Sequence, residues 1–253
     1  MPGRVHLAIE RTLAQVTLSH TGKFNAMSRA MWRELKALFM ELQNRTDIRC
    51  VIVAGEGGHF CAGGDIAEYP DFRFNQAALR DFHEVDVWGG LGAMLACDVP
   101  LLAQIEGNCM GAGVEIASCC DLRVAAHSAR FGAPIAKLGF PMAPREAALV
   151  AREAGAATAR EMLLEAAVFD ANEMKARGFL NTVLPDGTLD AAVQARARRI
   201  CSLSPQAARL NKQGLRALQA SPSASDDSNY AYADSPEHRE GIAAFLAKRP
   251  AVF

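Results

Sequence analysis

The stretch GAGVEIASCCD, residues 111–121, sets a single carboxylate, Glu115, among small and apolar neighbours, with no charged residue within three positions on either side. Glutamate is seldom fully buried unless it is paired or in use. Glu115 is therefore a candidate for moving a proton or holding a water, the alternative being a structural glutamate near a helix start. Two glycine-bearing turns, HFCAGGDI (59–66) and GNCMGAGVEI (107–116), each lead into an expected helix. Glycine allows a ligand close to the backbone. The first N–H groups of a helix have no intrahelical partner and lie at the positive end of its dipole. Two such turns facing each other would offer two N–H groups to one oxygen, which is an oxyanion hole. Tight turns under packing constraint alone would use the same glycines.

Other chemistries find little support. VIVAGEGGHF starts Gly55-x-Gly57 after a strand, but Phe60 stands where a dinucleotide-binding turn needs its third glycine, and no suitable βαβ unit follows. No GxSxG, HExxH or GxxxxGK[ST] motif occurs. The cysteines number seven, an odd count without CxxC spacing, which reads as free, mostly buried thiols in a reducing compartment. His127 lies near Cys119 and Cys120, but that alone makes no zinc site, and no metal is expected.

The elements that would carry these residues alternate in type. Val5, Leu7 and Ile9, then Leu13, Val16 and Leu18, predict a hairpin. Met31, Leu35, Leu38 and Leu42 predict a helix with Ser28 as its N-cap. CVIVAGEGG reads as a buried strand, residues 79–94 as a helix, DVPLLAQIEG and LRVAA as strands, and GAGVEIASCCD as a short helix. Such alternation predicts an α/β chain with repeated crossovers. Beyond about Ala147 the strand signal fades into alanine-rich helices. One of these has a cap at Asp170 or Asn172 and a stop at Gly178. The stretch 221–236 reads as a surface connection.

The chain has 253 residues, half of them hydrophobic, enough for a sizeable core. Its formal net charge of −1 points to neither nucleic acid nor an anionic membrane as partner. Arg4 and Glu10 interrupt any secretory apolar run, and no stretch is long and apolar enough to span a bilayer, so a cytoplasmic protein is expected.

HFCAGGDI followed by PLLAQIEGNCMGAGVEIASCCDLRVAAHSARFGAPIAKLG resembles the crotonase family, that of enoyl-CoA hydratases and isomerases. KFNAMS (23–28), DANEMKARGFLNTVLP and PEHREGIAAFLAKR resemble its flanking segments, so the likeness covers nearly the whole chain. It implies a spiral of ββα units, with an α/β core over 1–190 and a helical region over 191–253 used for packing homotrimers or dimers of trimers. It implies an acyl-CoA thioester as substrate, with coenzyme A as part of that substrate and no permanently bound cofactor. By position it assigns the two oxyanion donors to the backbone of Cys61 and Ala112, and a proton-transfer role to Glu115. Gly63, Gly64, Asp65, Ile66, Gly111, Pro134, Ile135 and Gly139 fall in the segments that line the substrate. Lys23, Phe24 and Ala26, with Phe245 and Lys248, fall where coenzyme A is held.

One departure stands out. Hydratases of this family carry a second glutamate after the proline of an FGxP segment; here FGAPIAKLG places Ile135 there, and FPMAPREAALV replaces the glycine-rich stretch that usually follows. A general acid or base typically contributes about 10²–10⁴-fold. The usual two-carboxylate addition of water is thus in question, and a single-carboxylate isomerisation or decarboxylation, or acyl-CoA binding with little catalysis, are the alternatives. Glu146 and Arg145 lie in the altered stretch, which in this family borders the pocket, and are candidates to stand in for the missing acid, the alternative being a solvated helix start with an adjacent ion pair. Asp71, Asp81, His83 and Glu84 follow the first turn and any of them could reach in, with no geometric reason to choose one.

Overall fold

The computed structural model describes residues 2–218 and 235–253. The opening alternation forms the expected hairpin, β1 (Arg4–Glu10) antiparallel to β2 (Leu13–Ser19). From β2 the sheet continues in parallel through β3 (Cys50–Gly55), β4 (Leu101–Ile105), β6 (Leu122–Ala126) and β9 (Thr182–Leu184). A sheet of parallel strands covered on both faces favours near-continuous apolar runs, as in the central β3, CVIVAG. In β3, Val51 and Val53 join the main core with α1 (Arg29–Gln43), whereas Cys50, Ile52 and Ala54 join a second cluster on the other face. The Ser28 side chain accepts from the Met31 N–H and caps α1 as its sequence predicts.

A second, three-stranded sheet holds β5 (Asn108–Met110), β7 (Arg130–Gly132) and β8 (Val168–Asp170). The chain visits the two sheets in turn: β4, β5, then helix α4 (Ala112–Ser118); β6, β7, then a 3₁₀ turn over Pro134–Leu138 and helix α5 (Pro144–Ala154). This ββα succession is the α/β arrangement expected, and it brings the ends of β5 and β7 beside α4.

Three expectations need correction. The stretch 79–94 is not one helix: α2 (Gln76–Asp81) passes through a π-helical turn (Phe82–Val87) into α3 (Trp88–Ala96). The π-helical turn carries His83. The chain beyond Ala147 contains β8 and β9, each three residues long, too short to show a periodicity. It also contains α6 (Ala156–Leu164) and α7 (Ala171–Ala176), the latter closed by a capping box between Asp170 and Glu173. The expected division after residue 190 falls inside α8 (Leu189–Cys201), whose Leu189, Val193 and Ala197 cover the outer face of the main sheet. That helix is therefore part of the core, and only α9 (Pro205–Ala217) and α10 (Pro236–Leu246) stand outside it. Most of the expected connection at 221–236 lies outside the described residues; Pro236 opens α10.

No helix among the described residues is long and apolar enough to cross a membrane.

Candidate active site

The turn 61–64 and the start of α4 are stitched together by backbone pairing. Cys61 and Cys109 form a parallel bridge: the Cys61 N–H donates to Asn108 O at 2.8 Å, and the Met110 N–H donates to Cys61 O at 2.9 Å. A side chain at Gly113 would place its Cβ 2.6 Å from Cys61 O, so the first turn of α4 packs this closely only with glycine there. Gly111 enters α4 at φ +48° and ψ −110°, outside the regions open to residues with a side chain.

These contacts decide which N–H groups are free. The Cys61 N–H is engaged in its bridge and cannot serve as an oxyanion donor, which corrects the positional assignment. The next bridge pairs Met27 with Gly64, but its hydrogen bonds are made by the neighbours, Met27 N–H to Gly63 O at 2.8 Å and Asp65 N–H to Met27 O at 2.9 Å. The Gly63 and Gly64 N–H groups are left without a partner among the described residues, as is the N–H of Ala112 at the first position of α4. Gly64 and Ala112 line the same cavity, of about 230 Å³.

Glu115 opens onto that cavity from the first turn of α4 and is only 7 % exposed. Burial, and secondarily the charge of Glu146, push its carboxyl well above the usual carboxylate range. The reading of Glu146 as a solvated helix start is overturned. It is 3 % exposed, lines the same cavity, and sits 2.9 Å through Oε1 from His83 Nδ1. Arg145 turns away, bonding Glu84 at 2.9 Å and stacking over Trp88 at 4.2 Å, because consecutive helical residues point in different directions. Of the acids after the first turn, Asp81 and Asp86 hold Arg29, and Glu84 holds Arg145. His83 alone of the four unassigned candidates reaches the cavity.

Gly63, Ile66, Gly111, Pro134 and Ile135 line the cavity as expected. Gly139 borders an adjoining apolar cavity instead. Asp65 caps the 3₁₀ turn at Ile66–Asp71 and holds Lys23 at 2.6 Å, so this lysine carries its own counter-ion. Phe24 rests on the His59 ring at 4.5 Å, and Ala26 is buried with its carbonyl on His20; neither lines the cavity. Phe245 on α10 is exposed, and neither it nor Lys248 lines the cavity. Six of the cysteines are buried and Cys201 half-buried, all of them free thiols; burial pushes the Cys61 thiol up to about 12, so it stays protonated and is no nucleophile.

Tyr69, Arg73 and Phe140 complete the wall and carry no motif that would single them out in the sequence. The Arg73 guanidinium lies 3.6 Å over Phe140 and 4.5 Å over Tyr69. The Tyr69 hydroxyl closes on Gly64 so tightly that a Cβ there would stand 2.1 Å from it. Gly64→Ala is therefore expected to displace Tyr69 and lower turnover while the protein still melts cooperatively, as kinetics beside thermal unfolding would show.

A family model described as enoyl-CoA hydratase/isomerase matches residues 8–253. The chain belongs to the enoyl-CoA hydratase/isomerase family. A probable enoyl-CoA hydratase of Mycobacterium bovis is 32 % identical over 94 % of this chain and 93 % of its own length. A crotonyl-CoA hydratase of Syntrophomonas wolfei is 30 % identical over 96 % and 95 %. Among solved structures, an enoyl-CoA hydratase/carnitine racemase from Magnetospirillum magneticum superposes with a TM-score of 0.95 at 38 % identity, covering 98 % of this chain and 94 % of that one. Fold and family agree along the whole described chain, and the protein is an enzyme of the acyl-CoA-handling class that these relatives define.

Proposed function

We propose that the cavity binds an acyl-CoA thioester, coenzyme A being part of the substrate, with its carbonyl oxygen between the Gly64 and Ala112 N–H groups, and that the enzyme hydrates or isomerises enoyl-CoA substrates through a thioester enolate. The observation that carries this is that unpartnered N–H groups, at Gly64 beside Gly63 and at Ala112, stand on the wall that also bears Glu115. A carbonyl oxygen gains charge as the enolate forms, and two fixed donors aimed at it stabilise that state more than the ground state. Glu115, close to the donors and in apolar surroundings, then serves the carbon next to the carbonyl or the one beyond it.

Family membership supports the acyl-CoA substrate, and the hydratase names of the relatives favour water addition over decarboxylation. The apolar residues exposed on α9 and α10, Leu215, Ile242, Phe245 and Leu246, support a role for this region in packing against further copies, as a trimer or a dimer of trimers. Loss of the enone absorbance of crotonyl-CoA on adding enzyme tests the reading. Turnover is expected. Tight calorimetric binding of acyl-CoA without turnover of any enoyl-CoA would instead make this a binding protein.

A further inference from the structure

Resting on the reading above, we infer that Glu146 is the second proton-transfer carboxylate of this site, held in place by His83, and that it replaces from helix α5 the group that Ile135 cannot supply. Ile135 lines the cavity but can neither give nor take a proton. Glu146 lines the same cavity at the first turn of α5, where Pro144 and Arg145 precede it. It is 3 % exposed, and no Lys or Arg holds it within ion-pair distance among the described residues. A carboxylate buried without a fixed cation is costly unless it has a task. Its side-chain partner is the His83 ring, presented by the π-helical turn, at 2.9 Å. A carboxylate has only acceptor capacity, so with Glu146 ionised the His83 Nδ1–H donates to it and fixes which oxygen faces the cavity.

Other polar groups surround Glu146. Glu115 faces it from α4, near enough for the charge of Glu146 to disfavour ionisation of Glu115. Tyr69 and Arg73 face it from the wall and both feel its charge. Two carboxyls that face one cavity can divide the work of proton transfer, one acting as acid and the other as base. In hydration the water oxygen bonds to the β-carbon, its proton passes to the ionised carboxyl, and the π pair of the double bond comes to rest on the thioester oxygen. The enolate collapses as the protonated carboxyl gives its proton to the α-carbon. The net change is H and OH across the double bond, and the two carboxyls have exchanged charge states. A proton passing between them by way of solvent restores the start.

The test compares wild type, E146Q, E115Q and H83N for turnover of 2-enoyl-CoA and for calorimetric binding of butyryl-CoA, which has no double bond to hydrate. E146Q is expected to lose about 100-fold or more in kcat with butyryl-CoA binding little changed. H83N is expected to lower kcat rather than binding, and the H83N/E146Q double variant to be no slower than E146Q, since His83 acts through Glu146. Should E146Q fail to melt cooperatively or to bind butyryl-CoA, E146D decides: slowed turnover with intact binding supports the assignment, and unchanged turnover overturns it. Near-wild-type turnover by E146Q, with E115Q inactive, would overturn the role of Glu146 and leave the enoyl-CoA reading standing. A wild type that binds butyryl-CoA but turns over no enoyl-CoA would overturn both.

Discussion

Replacing Glu115 by glutamine is expected to abolish enoyl-CoA turnover, by a factor of about 10²–10⁴, and at the same time to make the protein more stable at neutral pH. The first effect follows because glutamine keeps the shape of the side chain but can neither take nor give a proton. The second follows from burial. The Glu115 carboxyl titrates well above its ordinary 4.5 in the folded protein, so the folded state holds that proton more tightly than the unfolded chain does. Its contribution to stability is in full force below the ordinary value and is lost as the pH rises through the raised one. Glutamine has no such loss. Thermal unfolding followed from pH 4 to pH 8 should therefore show E115Q gaining on wild type as the pH rises, with little difference at the acid end. A gap independent of pH would mean that Glu115 is not a buried titrating group.

The second large effect concerns a backbone atom. Ala112 is the first residue of α4, the position where proline fits a helix best, since its fixed φ suits the first turn and the missing N–H has no intrahelical acceptor. Ala112→Pro thus removes one N–H with little cost to the helix. Loss of one oxyanion donor typically costs about 10²–10³ in kcat, and that is the expected drop, with binding of a saturated acyl-CoA retained. Unchanged kcat would remove Ala112 from the site.

The contrast between Ala112 and Cys61 shows where the sequence was readable. At Ala112 the helix start itself leaves the N–H free, and Gly111 before it marks the sharp entry, so an unpartnered N–H there could be read from position. At CAGGD, which N–H stays free depends on two bridges, Cys61 to Cys109 and Met27 to Gly64, made by segments far apart in the chain. No local pattern encodes that pairing, which occupies the Cys61 N–H and leaves those of Gly63 and Gly64 without a partner among the described residues. The same kind of long-range contact gave Lys23 a partner in Asp65, 42 residues on.

Strands were legible where they were long and apolar. β3 and β4 declared themselves, whereas β8 and β9 have three residues each and no room for a period. The altered stretch after Ile135 announced a change of chemistry but not its content. Arg145 and Glu146 looked like a pair because they are adjacent, yet one step along a helix separates side chains by about 100°. One went to Glu84 on the surface and the other into the cavity beside His83.

The most direct test of the central claim is exchange of the α-protons of butyryl-CoA with D₂O, followed by proton NMR, because it reports enolate formation whether the natural reaction is hydration or isomerisation. Wild type is expected to wash out the α-proton signal faster than enzyme-free buffer, with Ala112→Pro and Glu115→Gln both strongly slowed. Butyryl-CoA bound by the wild-type enzyme without any exchange above the buffer rate would contradict the account.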